Sequence, residues 1–322
     1  MNKGIKKIIE GGFLSFIPLF CFFCFVYGAQ SFLSSGAVAK SDENFLASVS
    51  DAPNVIQLQN NLGGDIEEVS DTGEKIQQED DVAESKKEPE LKSAISVNTD
   101  LSSEDEIIFD KSSDSKLPIA SLTKLMTAIV SFDNYSMPEK IIVSESADAQ
   151  PSMKTDLEKD SIFSVEELLN IMLIESSNKA AYALAENFGE ENFVLAMNKK
   201  AQEIGMENTF FADPTGLSPD NVSTATDLVL LAKYILKNYP AVSEITTKQE
   251  YELDNFGKIK NTDQILFEMS NVALSKTGFT NYANGCLLLV LFNSQSNDYT
   301  INVVLGADDR FFEMRKLINL QK

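Results

Sequence analysis

Pro118-Ile119-Ala120-Ser121-Leu122-Thr123-Lys124-Leu125-Met126-Thr127-Ala128 opens a segment in which Leu122, Leu125, Met126, Ile129 and Val130 recur at helical spacing. Ser121 and Lys124 stand three apart on that helix, so hydroxyl and amine share a face and can meet. A serine in the first helical turn also feels the positive end of the helix dipole, which favours a developing alkoxide. The chain contains no histidine. That removes the Ser-His-Asp triad and the His-ligated zinc peptidases together. A serine hydrolase of this composition needs another base, and a lysine three residues after the serine can serve. The mundane alternative is an N-cap serine followed by a surface lysine.

Ser-x-x-Lys occurs three times, at Ser113 to Lys116, Ser121 to Lys124 and Ser176 to Lys179. Ser113 lies in a polar turn shortly before Pro118, whereas Ser121 opens the long apolar-periodic segment. Two further short motifs follow in order, Ser176-Ser177-Asn178 and Lys276-Thr277-Gly278. The first interrupts two helical stretches, so its side chains project from a tight inter-helix turn, where serine and asparagine are also ordinary turn residues. The second lies inside an apolar strand, a costly place for a lysine unless something anionic meets it or the strand is an edge facing solvent. Gly278 lets a ligand or a second backbone approach closely.

Outward from these motifs the pattern divides the chain into three parts. Lys3, Lys6 and Lys7 precede an apolar run from Phe13 to about Leu33. A basic front and an apolar stretch near the ~20 residues that span a bilayer read, over residues 1–34, as an export signal that is retained as a membrane anchor, with a cleaved signal and a secreted domain as the alternative. The lysines then stay in the cytoplasm and the remainder lies outside. Residues 35–91 are polar and acidic and read as a disordered, charge-extended tether. Residues 92–322 carry the globular pattern. Ala94–Val97 and Ile107–Phe109 read as strands, and Ser164 to Glu167 is a capping box opening a helix. Helices follow over about Lys179–Asn187, Glu190–Ile204 with Gly205 as cap, and Ser223–Leu236, which ends before Pro240. Ala273–Phe279, Cys286–Phe292 and Tyr299–Leu305 read as strands, and Asp308 or Asp309 caps a last helix. Strands at both ends with helices between them predict one α+β domain in which N- and C-terminal strands share an antiparallel sheet.

A formal net charge of −22 argues against a nucleic-acid partner. Three cysteines, two of them in the apolar N-terminal run, make neither a disulfide framework nor a thiolate metal cluster, and no cofactor or metal is implied.

The segment Pro118 to Ala128 resembles the nucleophile segment of the serine-type D-alanyl-D-alanine carboxypeptidases, low-molecular-mass penicillin-binding proteins with a β-lactamase/transpeptidase-like fold. Phe211-Ala212-Asp213-Pro214-Thr215-Gly216-Leu217 is similar to that family's Asn-Pro-x-Gly-Leu loop, and Ser223 to Leu228 and Lys276-Thr277-Gly278-Phe279-Thr280 also match. The resemblance covers about Lys92 to the C-terminus. It implies that Ser121 attacks the D-Ala-D-Ala carbonyl and is acylated, that Lys124 takes its proton, and that Ser176 relays a proton to the leaving D-alanine. Asn178 would orient Lys124 and the substrate amide, Lys276 and Thr277 would hold the terminal carboxylate, and the Ser121 and Phe279 backbone N–H groups, beside Gly278, would form the oxyanion hole. A free lysine is a poor base at neutral pH. Lowering its pKa by ~3 units costs roughly 4 kcal/mol, which burial and the Lys276 cation would impose.

The implied substrates are peptidoglycan stem peptides ending in D-Ala-D-Ala, with β-lactams as covalent inhibitors and the catalytic domain outside the cytoplasmic membrane. A DD-endopeptidase cutting cross-links and a non-catalytic wall-binding or penicillin-sensing protein are the alternatives. A β-lactamase is disfavoured, because no Glu-x-x-x-Asn deacylation segment follows the second motif. The chain departs from the family pattern at Asp213 and Asp263, each in place of Asn, at Ser177 and Lys179 around the second motif, and at Ser275 before Lys276. Read from the sequence, the pattern runs out after the helix at Phe311 to Leu320, and the extra C-terminal β-domain that many relatives carry is not expected.

Overall fold

The computed structural model describes residues 90–320 apart from 103, 153–156 and 255. The anchor and nearly all of the tether lie outside the described residues. Two residues read as tether are described, and both are held: Glu90 exchanges backbone and side-chain hydrogen bonds with Asp308, and Leu91 is buried. No helix among the described residues is long and apolar enough to cross a membrane.

In chain order the strands and helices are β1 (Ser93–Thr99), β2 (Glu106–Lys111), β3 (Leu117–Pro118), α1 (Thr123–Asn134), β4 (Lys140–Ile142), α2 (Glu145–Asp148), β5 (Ile162–Ser164) and α3 (Val165–Ile174). They continue with α4 (Asn178–Phe188), α5 (Glu190–Ile204), β6 (Val222–Ser223), α6 (Ala225–Asn238), α7 (Pro240–Thr247), β7 (Glu250–Leu253) and β8 (Gly257–Lys260). The last elements are β9 (Val272–Thr280), β10 (Asn284–Asn293), β11 (Asp298–Ala307) and α8 (Arg310–Asn319).

The five-stranded sheet runs β2-β1-β11-β10-β9, antiparallel throughout, so the first and last strands of the domain do share one sheet. Successive residues of a strand face opposite sides, and here both sides are covered. Cys286, Leu288 and Val290 of β10 join Ile95, Val97, Val303 and Leu305 against the main helical layer. Leu287, Leu289 and Leu291 face the other way, with Val304, onto Met314, Leu317 and Ile318 of α8. This double cover explains the unbroken apolar run from Cys286 to Leu291. Each such side chain gains about 2 kcal/mol from burial.

Helix α1 departs from its amphipathic reading. Every residue from Thr123 to Ser131 is buried, because α3, α4, α5 and α7 pack around it. Its polar residues are therefore inside the protein and bonded there; Thr127 Oγ1, for example, donates to the Pro214 carbonyl at 2.6 Å. The sequence also hides α7. Pro240 reads as the end of α6, but a proline whose missing N–H is not needed also starts the next helix. The capping box at Ser164 and Glu167, the left-handed Gly205 after α5 and the Asp309 cap of α8 all form.

Among the described residues strand β9 pairs with β10 alone, so its second edge has no strand beside it there. Helix α7 and the turn that leads into α1 pack against this strand, and the α3–α4 turn meets it through the Lys276–Ser176 hydrogen bond.

Candidate active site

Ser121 sits in a short 3-10 turn, Ala120–Leu122, that runs directly into α1. Neither this turn nor α1 has a side-chain N-cap, so the serine is not a cap. Lys124 is fully buried, which removes the surface-lysine alternative as well. Its Nζ lies 3.0 Å from Ser121 Oγ, 2.7 Å from Asn178 Oδ1 and 2.5 Å from the Thr215 carbonyl oxygen. A neutral amine has two hydrogens and one lone pair. The amide and carbonyl oxygens can only accept, so they take the two hydrogens and the lone pair is left for the serine hydroxyl. Burial holds the Lys124 pKa well below the ordinary lysine value, the Lys276 cation lowers it further, and Asp213 works in the opposite direction. A buried amine biased toward its neutral form and touching a serine hydroxyl has the geometry and the electrostatics to accept a proton from it.

The second motif turns between α3 and α4. Ser177 caps α4, its Oγ accepting from the Ala180 N–H, and this turns Asn178 inward. The Asn178 amide is fixed from both ends, because its Nδ2 donates to the Pro151 carbonyl at 2.6 Å while Oδ1 accepts from Lys124. Ser176 takes a left-handed backbone, φ 64°, which is strained for a serine and aims its hydroxyl at β9. There Lys276 Nζ donates to Ser176 Oγ at 2.9 Å.

Lys276 is buried in β9 with no carboxylate partner in salt-bridge range among the described residues. Burial lowers its pKa to about 7, with Arg310 adding to the effect and Asp263 opposing it. Thr277 shares a 2.5 Å hydroxyl contact with Thr262, whose N–H donates to the Ile174 carbonyl at the end of α3. Thr262 therefore ties β9 to the turn that carries Ser176. Gly278 lies against Ser121: a Cβ there would stand 3.0 Å from the Ile119 carbonyl and 3.2 Å from Ser121 N. Phe279 is exposed at the rim.

These groups border one cleft of about 270 Å³, lined by Ser121, Ser176, Asn178, Thr277, Gly278 and Phe279 among others. Lys124 and Lys276 stand behind its wall. The eight residues singled out in the sequence are thus brought together. Two partners were not singled out. The first is the Thr215 carbonyl on Lys124, invisible because backbone atoms leave no mark in a sequence. The second is Arg310, the opening residue of α8, which lines the cleft and has its Nε buried without a hydrogen-bond partner among the described residues. No linear motif joins Arg310 to Thr277; only the antiparallel return of β10 and β11 does.

A family profile described as D-alanyl-D-alanine carboxypeptidase matches residues 82–309. The chain belongs to this family. The peptidase is 36% identical to a D-alanyl-D-alanine endopeptidase of Escherichia coli, across 71% of this chain and 77% of that protein. It is 34% identical to the D-alanyl-D-alanine carboxypeptidase DacF of Bacillus subtilis, across 68% of this chain and 58% of that protein. Its fold matches penicillin-binding protein D2 of Listeria monocytogenes in the ampicillin-bound form with a TM-score of 0.63 and 28% identity, over 71% of this chain and 96% of that one. The peptidase is a serine DD-peptidase of the low-molecular-mass penicillin-binding class.

The places where the peptidase departs from its family pattern have local reasons. Ser177 is a helix cap, and Lys179 forms a 2.6 Å ion pair with Asp148 that fastens α2 to α4. Ser275 and Asp263 change together: the Ser275 hydroxyl donates to the Asp263 carboxylate, which also accepts from the Ile265 N–H at 2.8 Å. Burial raises the Asp263 pKa, and those donors and the Lys276 and Arg310 cations work against it.

Gly216 is the tightest point of the site. Its φ is +86°, and a Cβ would meet the Ala120 carbonyl oxygen at 2.1 Å. Gly216→Ala is therefore expected to destabilise the peptidase by about 2–4 kcal/mol, through backbone strain and a clash that no flexible side chain can relieve. Denaturant unfolding would measure it. A loss under about 0.5 kcal/mol would mean that the Gly216–Ala120 packing is not as close as described.

Proposed function

We propose that this chain is a serine DD-carboxypeptidase that removes the terminal D-alanine from peptidoglycan stem peptides. The observation that carries the reading is the 3.0 Å contact between Ser121 Oγ and the buried amine of Lys124 in a chain without histidine. The terminal carboxylate of the substrate is held by Arg310, Thr277 and the positive field of Lys276. The scissile carbonyl lies over Ser121, its oxygen toward the backbone N–H groups of Ser121 and Phe279, which stabilise the developing oxyanion. Lys124 takes the hydroxyl proton as the Ser121 oxygen bonds to the carbonyl carbon. Collapse of the tetrahedral intermediate breaks the peptide bond. Ser176, hydrogen-bonded to Lys276, gives its hydroxyl proton to the leaving amine and is reprotonated with the proton that Lys124 took, which returns Lys124 to the neutral amine, while Asn178 keeps Lys124 and the substrate amide aligned. Water then attacks the acyl ester, giving a proton to neutral Lys124, and as the ester C–O bond breaks Lys124 passes that proton to Ser121 Oγ, which restores the hydroxyl and the neutral amine. β-Lactams enter the same path as acylating inhibitors. The basic front and apolar run at the N-terminus support anchoring in the cytoplasmic membrane with the catalytic domain outside.

A second reading, DD-endopeptidase, is favoured by the 36% identity to a protein of that name. Both reactions acylate the same serine and differ in the leaving group, a free D-alanine or a cross-linked stem. The full chain, given purified pentapeptide and cross-linked muropeptides and read by mass spectrometry, separates them. Loss of one D-alanine, absent in Ser121→Ala, is expected. Cleavage of the cross-link instead selects the endopeptidase, and no change in either substrate overturns both.

A further inference from the structure

The carboxylate at 213 stands where the family pattern has an amide, and four donors converge on it. Asp213 Oδ1 accepts from Thr215 N at 2.6 Å, Thr215 Oγ1 at 2.7 Å and Gly216 N at 2.7 Å. Oδ2 accepts from Ser218 N at 2.6 Å. Both oxygens are used as acceptors, so an asparagine would have to turn its NH₂ toward one donor set. The loop folded this way has two grips on the catalytic couple. Its Thr215 carbonyl takes a hydrogen bond from Lys124 at 2.5 Å, and Gly216 packs against the Ala120 carbonyl next to Ser121. Thr127 fastens the same loop to α1 through the Pro214 carbonyl.

We propose that Asp213 is a positioning residue: its carboxylate shapes the loop from 213 to 218 so that the Thr215 carbonyl aims the Lys124 amine and Gly216 holds the turn bearing Ser121. This rests on the Ser121–Lys124 reading above. Two charged groups act on Lys124. Lys276 of β9 depresses its pKa and Asp213 raises it, while Ser121, Asn178 and Thr215 complete its contacts with groups that do not titrate near neutrality. Asp213 thus sets the geometry of the base and limits how far its basicity falls.

The test is the second-order rate of acylation of the full chain by a fluorescent penicillin, measured across pH for the parent, Asp213→Asn and Thr127→Val. Asp213→Asn is expected to lower the plateau rate roughly tenfold or more. The pH at which the rate rises should move down by about half a unit, because loss of the anion leaves the amine easier to deprotonate. Thr127→Val keeps the carboxylate but frees the loop from α1, and is expected to slow acylation a few-fold with its midpoint nearly unmoved. A folded Asp213→Asn protein with the parent's rate, or one slower but with the parent's midpoint, overturns the proposal. If Asp213→Asn does not fold, a parental rate in Thr127→Val overturns it instead. A parent that is never acylated would sink the function itself, and the proposal with it.

Discussion

Lys124→Met is expected to lower the rate of Ser121 acylation by about 10³-fold or more, the scale on which removal of a positioned general base is felt. Methionine fills a similar volume, so packing around α1 survives while the lone pair facing Ser121 is gone. Lys124→Arg gives the complementary result. It keeps a cation, yet a guanidinium cannot give up its proton at working pH, so acylation should fall as far. An arginine variant retaining a tenth of the parent's rate would show that Lys124 acts by its charge, not as a base. Stability carries a second signature. Because the folded protein depresses the Lys124 pKa, the parent binds fewer protons folded than unfolded in the window between the two values. Its stability therefore falls as pH drops from the unfolded lysine value through the folded one. Lys124→Met lacks this term, so the difference in unfolding free energy should move in the variant's favour as pH falls. Denaturant titrations at several pH values would read it.

Arg310→Gln is expected to raise KM for the peptide substrate sharply and to lower kcat/KM by about 10²-fold, with a smaller change in kcat. A guanidinium meeting a carboxylate makes charge-assisted hydrogen bonds worth about 3 kcal/mol together, and a neutral amide recovers only part of that. Arg310 also helps depress the Lys276 pKa to about 7, so its removal raises that value. The sign follows: Lys276 keeps its proton to higher pH, and the alkaline limb of kcat/KM should move upward. Initial rates against peptide concentration and pH test both effects. An unchanged KM would mean that Arg310 does not meet the substrate carboxylate.

Much of this site was legible from local pattern alone. Ser121 and Lys124 are three apart in helical geometry, Ser176 to Asn178 lie within one turn, and Lys276 to Gly278 lie on one strand, so each motif is held together by its own backbone. The resemblance supplied the order in which they meet. What the sequence did not disclose depends on tertiary placement. Arg310 reaches the cleft because β10 and β11 double back beside β9, and the acceptor on Lys124, the Thr215 carbonyl, is a backbone group common to every residue type. The apolar periodicity around Leu125 and Ile129 was real, but it did not show that the polar face of α1 is enclosed too. That enclosure is what desolvates Lys124. The two-stranded pairs β4–β5 and β7–β8, with three- and four-residue strands, are too short for period-two alternation to show. Asp213 and Asp263 looked like imperfect matches to a family pattern. In the fold, each is an acceptor surrounded by donors.

The most direct measurement is intact-mass analysis and peptide mapping of the full chain after exposure to penicillin. One adduct is expected, on the peptide containing Ser121, and none in Ser121→Ala. An adduct that persists in Ser121→Ala, or a well-folded parent that takes no adduct, would contradict the assignment of Ser121 and Lys124 as nucleophile and base.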